Sequence, residues 1–167
     1  MQYLKGFSAR PATSAILATA MSLLLNQELL VSGVDYFNDK AAINPFMDAK
    51  VPVSIPEATK EHLAIRRAFE AAGIAVRQVK PPQSCQDGVY TANWGLERGG
   101  TVVLARLPNA RTGEEAYAQA AFESLGKTVV KVPGKLRFSG QGDALPCGPY
   151  LFCGQTYRAD PDRKSVV

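Results

Sequence analysis

Histidine is scarce in this sequence. The 167 residues contain one, His62, and a predicted amphipathic helix places it at a surface position rather than in a catalytic one. The three cysteines, Cys85, Cys147 and Cys153, have no CxxC spacing, so the pattern supports neither a zinc site nor a disulfide framework. A cysteine nucleophile needs a neighbouring base, and no histidine is placed to activate Cys85. The sequence therefore predicts no metal, unreactive cysteines and a reducing compartment, the cytoplasm.

Blocks of like charge and long apolar runs are also missing. The net charge is +4, but the lysines and arginines are scattered, which favours a solvated surface over a nucleic-acid partner. Residues 1–27 contain no acidic residue, and their apolar stretch AILATAMSLLL is too short to span a membrane. We expect no membrane partner. We interpret 1–27 as an extension outside the fold, either targeting-like or disordered, so organellar targeting stays open.

A helix followed by a strand is predicted after Pro56. The stretch EATKEHLAIRRAFEAAG (57–73) has apolar residues at positions i, i+3, i+4 and i+7, and Gly73 is a natural helix end. The residues of this apolar stripe are Ile65, Ala68, Phe69 and Ala72. The following IAVRQV (74–79) predicts a strand that ends before two prolines.

A second unit of the same kind follows. In TGEEAYAQAAFESLG (112–126), Thr112 and Glu115 have the spacing of a capping box, and Gly126 ends the helix. Its predicted apolar face consists of Tyr117, Ala120, Ala121 and Leu125. A strand, TVVKV (128–132), comes next, and Phe69 and Phe122 mark a repeat with a constant spacing of 53 residues. The repeat predicts an α/β fold of stacked supersecondary units.

Each unit is followed by an acidic loop, an apolar strand and an arginine. The acidic residues are Asp87 and Asp143, and the arginines are Arg111 and Arg158. Equivalent loops of a pseudo-symmetric fold converge, so we expect the two carboxylates to face one cleft with the arginines at its rim. Carboxylates bind a guanidinium or ammonium group, and arginines bind a carboxylate. This pattern predicts a small-molecule ligand related to arginine, although an aspartate in a Gly-rich loop is also typical of an ordinary turn.

The loop FSGQGDAL (138–145) allows three interpretations: a phosphate-binding loop, a turn between strands, or a wall of a site for a cationic substrate. The first is disfavoured, because the loop has neither GxGxxG nor GK[ST] and no helix is predicted after it. The other two interpretations stay open on residue pattern alone.

Residues 29–160 resemble the N-terminal half of the guanidino-group-modifying enzymes, in the branch of dimethylarginine dimethylaminohydrolase and the amidinotransferases. The matching segments, in order, are VDYFNDKAAINPFMD, QDGVYTANWGL, VVLARLPNARTGEE, FSGQGDAL and LFCGQTYRAD. The resemblance implies the pentein fold, a propeller of five ββαβ units around a cleft, here incomplete. It also implies cysteine attack on a substrate guanidinium carbon, with a histidine and a carboxylate assisting. The hydrolases of the family need no cofactor, so none is expected.

The resemblance assigns roles to individual residues. Asp87 matches the substrate-binding aspartate, and Asn93 stands where some members have a second aspartate. Arg111 and Arg158 match the region of the arginines that bind the substrate carboxylate.

The FSGQGDAL loop departs from the family pattern at one position. Asp143 is retained, but Ser139 stands where the family has a catalytic Glu or Asp. A serine cannot hold the negative charge that orients and stabilises an imidazolium. The resemblance therefore implies a degenerate catalytic position at Ser139.

The family's histidine and cysteine belong to the C-terminal half, which the resemblance does not include. We expect residues 28–161 to be a partial pentein domain that is catalytically inactive, and we interpret DRKSVV (162–167) as a non-native tail. Two other hypotheses stay open: a non-catalytic module for ligand binding or assembly, and an unrelated α/β domain whose repeat is accidental. An open partial propeller exposes sheet edges, so we also expect self-association.

Overall fold

The computed structural model describes residues 27–43, 47 and 50–154. Within these ranges the chain forms two α-helices, three short 3-10 turns and seven strands in three sheets. The fold is therefore mixed α/β, as the sequence predicts.

The first sheet pairs strand β1 (Glu28–Ser32) in parallel with strand β2 (Ala75–Val79), and helix α1 (Ile55–Ala71) connects them. The helix begins at Ile55, one residue before Pro56. A proline is tolerated there, because the amides of the first turn have no partner within the helix. The side chain of Ser54 caps this end by accepting a bond from the Glu57 amide.

The predicted apolar stripe of α1 does not pack into a core. Ile65 is 54% exposed and Phe69 is 36% exposed, and no residue of α1 is buried in the described part of the chain. Arg66 instead hydrogen-bonds Gln78 of β2, and His62 interacts with the backbone of β1. The side of α1 that faces the sheet therefore has polar residues, and the predicted apolar stripe lies on another side.

The second sheet has three strands and contains most of the core. Strand β3 (Gly95–Arg98) and strand β4 (Thr101–Leu104) form a hairpin, and helix α2 (Glu114–Ser124) leads from β4 to the parallel strand β5 (Thr128–Lys131). The core cluster consists of Trp94, Val102, Leu104, Ala118, Ala121 and Phe122. Ala121 is buried as predicted, whereas Ala118 and Phe122 were not assigned to the apolar face and Ala120 is exposed.

Both helices end in the same way, which gives the sequence repeat a structural counterpart. Gly73 has a φ of +80° and Gly126 a φ of +74°, and each follows a helix whose last turn closes on the repeated phenylalanine carbonyl. Ile74 donates to the Phe69 carbonyl, and Lys127 donates to the equivalent Phe122 carbonyl.

The capping box predicted for the second helix is wrong. A 3-10 turn, Asn109–Gly113, precedes α2, and the N-cap is Gly113 without a side-chain hydrogen bond. The carboxylate of Glu115 instead accepts a bond from the Leu107 amide at 2.6 Å. The extra turn displaces the helix start past Thr112, so the two residues no longer have capping-box geometry.

The third sheet is a hairpin of strand β6 (Ala144–Cys147) and strand β7 (Tyr150–Cys153). Neither β3 nor β6 is predicted by the sequence pattern, which assigns β6 to a loop. Each is only four residues long and begins one residue after a 3-10 turn, so the local pattern offers no clear strand signal.

Candidate functional site

The side chain of Arg111 connects the loop between β2 and β3 to the start of helix α2. Its Nη1 donates to Asn93 Oδ1 at 2.8 Å, and its Nη2 donates to the carbonyls of Asp87 at 3.1 Å and Tyr90 at 3.4 Å. The sequence interpretation leaves open whether Arg111 is simply exposed. The structure makes it a largely buried residue, with a side chain 11% exposed, that holds the loop between β2 and β3.

Glu114, at the start of α2, is the partner that fixes Arg111. Its carboxylate forms a bidentate ion pair with the guanidinium, at 2.8 Å to Nε and 2.7 Å to Nη2. The indole N–H of Trp94 donates to the same carboxylate at 2.9 Å. Sequence reasoning did not assign a role to Glu114 or Trp94. The i, i+3 spacing of Arg111 and Glu114 is the signal that could have indicated this pair.

Asp87 is nearly buried but its carboxylate has no hydrogen bond from any described residue. Burial raises the pKa of this carboxyl; the nearby Arg111 opposes the rise and Glu114 adds to it. A buried carboxylate that accepts no hydrogen bond from the described residues is costly for the fold. Such a group is suited to bind a cationic ligand, which would supply the missing hydrogen bonds.

Tyr90 belongs to the same loop, and its side chain lies at the surface. Its ring packs edge-to-face on Phe37, with centroids 5.6 Å apart, and it is half exposed. Burial raises the pKa of its hydroxyl, and the neighbouring Asp87 raises it further. Thr91, the next residue, donates to the Leu30 carbonyl and so joins the loop to β1.

The 3-10 turns Thr91–Asn93 and Gly140–Gly142 lie against each other, so the two acidic loops are indeed adjacent. The Asn93 side chain donates to the Ser139 carbonyl at 3.2 Å. Gly140 has a φ of +58°, and a Cβ there would lie 2.6 Å from the Gly95 carbonyl oxygen. The glycine therefore permits the close approach of the two turns.

Within FSGQGDAL, Asp143 stabilises its own loop. Its Oδ2 accepts a bond from the Ser139 amide at 2.8 Å, and its side chain is buried. Ser139 is also buried, and its hydroxyl has no hydrogen-bond partner among the described residues. The structure thus brings Asn93, Arg111, Ser139 and Asp143 into one connected region.

Asp87 and Asp143 do not occupy equivalent positions of the repeat. Asp143 directly precedes β6, and its carbonyl accepts from the Gly154 amide; Trp94 directly precedes β3, and its carbonyl accepts from the Ala105 amide. Trp94 is therefore the counterpart of Asp143. The two loops therefore match at the residue that precedes the strand, and this residue is acidic only in the second loop.

The remaining candidates are less informative. Arg158 and the tail 162–167 lie outside the described residues. Burial and the Glu114 carboxylate raise the pKa of the Cys85 thiol, which opposes thiolate formation. Among the described residues, no group of three or more His, Cys, Asp or Glu side chains could hold a metal ion. Nor does this part of the chain contain a helix long and apolar enough to cross a membrane.

Comparison with known proteins gives several matches that cover most of this chain. It is 36% identical over 143 residues to the bifunctional arginine dihydrolase/ornithine cyclodeaminase ArgZ of Synechocystis, covering 83% of this chain and 20% of that protein. It is 32% identical over 127 residues to the dimethylarginine dimethylaminohydrolase of Mycobacterium tuberculosis, covering 75% of this chain and 41% of the relative. No family model matches the chain.

Solved structures agree with these sequence matches. The N-terminal domain of ArgZ, solved as a Cys-to-Ser mutant bound to substrate, superposes with a TM-score of 0.78 at 34% identity and covers 83% of this chain. The chain spans 52% of that domain. A dimethylarginine dimethylaminohydrolase structure at 15% identity, with a TM-score of 0.69, shows the same fold.

The sequence matches and the structural matches both lead to proteins that act on arginine or methylarginine. These matches cover only part of the length of those proteins. The chain therefore belongs to the pentein superfamily of guanidino-group-modifying enzymes and matches the N-terminal half of their domain.

Proposed function

We propose that this chain contributes the guanidinium-binding part of a site for arginine or a methylated arginine. The observation that carries the proposal is Asp87: a nearly buried carboxylate that no described residue hydrogen-bonds, on a loop held in place by Arg111. A guanidinium would donate two parallel N–H bonds to such a carboxylate and neutralise its charge. The relatives support the ligand class, since a variant of the related protein AgrE was solved with L-arginine.

In this proposal Asp87 binds the guanidinium and Asn93, held between Arg111 and the Ser139 carbonyl, borders the same cleft. Asp143 keeps the Ser139 loop in shape and so maintains the opposite wall. Arg111 and Arg158 are the proposed contacts of the substrate carboxylate. No cofactor is needed for binding of this kind.

The parent activity is proposed to be hydrolysis or transfer of the guanidino group through a covalent cysteine intermediate. Ser139 stands at the family's carboxylate position, and the family resemblance assigns the histidine and cysteine to the other half of the domain. We therefore propose that residues 28–161 form an incomplete propeller of ββαβ units without hydrolase or transferase activity of its own.

A second candidate function is a non-catalytic module that binds an arginine-like ligand or assembles with other chains. The buried Ser139 hydroxyl favours it, because a serine at that position cannot serve as a catalytic carboxylate. Self-association belongs to this candidate. Within the described residues, the β1–β2 and β6–β7 sheets have two strands each, and Tyr150 and Phe152 of β7 are 68% and 64% exposed.

Titration calorimetry with L-arginine and with a methylated arginine tests the binding proposal. We expect both ligands to bind and Asp87→Ala to weaken the binding by at least about tenfold, the loss of one charge-assisted contact. Glu57→Ala, on the exposed first turn of α1, is a matched control that removes a carboxylate elsewhere. Absence of binding, or binding that Asp87→Ala does not change, would contradict the proposed site.

A further inference from the structure

Glu114 is a buried acidic residue that the proposed ligand contacts do not use. Its exposure is 1%, and its two carboxylate oxygens receive three hydrogen bonds, two from Arg111 and one from Trp94. A bidentate pair of this kind fixes the plane of the guanidinium as well as its place. Glu114 therefore fixes the orientation of the Arg111 guanidinium.

Arg111 in turn donates most of its N–H groups to atoms of the protein itself. Its Nε–H and Nη2 groups face Glu114 and the carbonyls of Asp87 and Tyr90, and one Nη1 hydrogen bonds Asn93. Of the five N–H bonds of a guanidinium, the described residues use four, which leaves one on Nη1 for a ligand. The geometry thus makes Arg111 first of all a support of the 87–93 loop.

We infer that Glu114 is a positioning residue, which acts through Arg111 to hold Asn93 and the backbone of Asp87 and Tyr90 in the arrangement that receives the ligand. The identity of the ligand rests on the proposed function, but the support of the loop does not. Trp94 is bonded to the same carboxylate and is the single tryptophan of the chain, so its fluorescence reports on this support directly.

Two variants test the inference on the whole chain. Glu114→Gln keeps the size of the side chain but loses the charge and one of its two acceptor oxygens. Glu115→Gln makes the same change at the next residue, whose carboxylate bonds the Leu107 amide instead. Hydrogen exchange is measured on residues 87–93 relative to the β4 and β5 amides, together with Trp94 emission and arginine binding by calorimetry.

We expect Glu114→Gln to speed exchange in residues 87–93 by about tenfold or more, to shift Trp94 emission and to weaken arginine binding by about tenfold. Glu115→Gln should change none of the three. Equal exchange in the two variants, or unchanged arginine affinity in Glu114→Gln, would overturn the inference. If the wild-type chain binds no arginine but the exchange difference is present, the positioning role holds and the proposed ligand is wrong.

A second pair of variants is used if Glu114→Gln does not fold. Glu114→Asp retains the charge but is one methylene too short to keep both bonds to Arg111. We expect it to loosen residues 87–93 partly, relative to Glu115→Asp. The same exchange of residues 87–93 in both Asp variants would refute the role of Glu114.

Discussion

At the scale of single residues, the site depends on groups that are unfavourable for stability alone. Asp87 has a nearly buried carboxylate with a raised pKa, and the proposed ligand is what would compensate for it. Residues that lower stability in exchange for binding are typical of functional sites. Gly140, by contrast, is needed for the fold, because a side chain there would clash with the backbone of the neighbouring turn.

Asp87→Asn should stabilise the free protein while it weakens arginine binding. Since the folded-state pKa of Asp87 is raised, the ionised form opposes folding at neutral pH, and this effect disappears as the pH falls below the ordinary value of 3.8. We expect the melting temperature at pH 7 to rise by about 2–4 °C, with the two proteins converging in acid. Thermal unfolding from pH 7 to pH 3.5 measures this. A variant less stable than wild type at pH 7 would show that Asp87 is a structural residue.

Gly140→Ala should destabilise the protein more than Gly148→Ala. Both glycines have positive φ, but a Cβ at Gly140 would meet the backbone of Gly95 and Ala92 within 2.7 Å, whereas one at Gly148 would meet nothing within 4 Å. We expect about 1–2 kcal/mol for Gly148→Ala from the backbone conformation, and about 1–3 kcal/mol more for Gly140→Ala from the clash. Urea unfolding at pH 7 compares them. Equal losses would mean that the two 3-10 turns separate easily.

At the scale of elements, the two helices differ in how they are held. The sheet-side contacts of α2 are the core residues Ala118, Ala121 and Phe122, whereas α1 contacts β1 and β2 through the polar side chains of His62 and Arg66. The stability that α1 adds should therefore depend on pH.

His62→Gln should flatten the pH dependence of stability between about pH 7.5 and 5.5. Burial, and then the positive charge of Arg66, lower the pKa of His62 from its ordinary value of 6.5. As the pH falls through that value, the unfolded chain takes up the proton more readily than the folded one, so wild-type stability decreases. Urea unfolding of both proteins at the two pH values tests this, since no other histidine contributes. Parallel pH profiles would show that His62 is in contact with solvent.

At the scale of the molecule, the described residues form one three-stranded unit between two units of two strands each. The central unit contains most of the buried apolar residues, and the outer ones expose apolar side chains such as Ile65, Tyr150 and Phe152. Exposed edges and apolar faces favour association between chains.

The protein at micromolar concentration should elute from size-exclusion chromatography ahead of its 17.9 kDa monomer. Phe152→Lys combined with Tyr150→Lys should move the elution toward the monomer, because charges on an edge strand oppose edge pairing. Val51→Lys, an exposed apolar residue outside the sheets, is the control. A monomer for the unmodified chain would contradict self-association.

The sequence by itself determined the features that depend on local backbone chemistry. The glycine ends at Gly73 and Gly126, and the strands after them, follow from left-handed backbone and β-branched residues, and the structure confirms them. The order of its motifs was also sufficient to identify the superfamily, which the comparisons confirm.

Only the tertiary structure decided which residues that are distant in the chain become partners. The role of Glu114 depends on Arg111 and Trp94 meeting it in space, and the exposure of Ile65 depends on which side of α1 faces the sheet. The mismatch of Asp87 and Asp143 has the same cause, since equivalence is set by the strand pairing and not by residue type. Hydrogen bonds and burial between segments are properties of the assembled fold, and a linear pattern contains the residues but not their pairing.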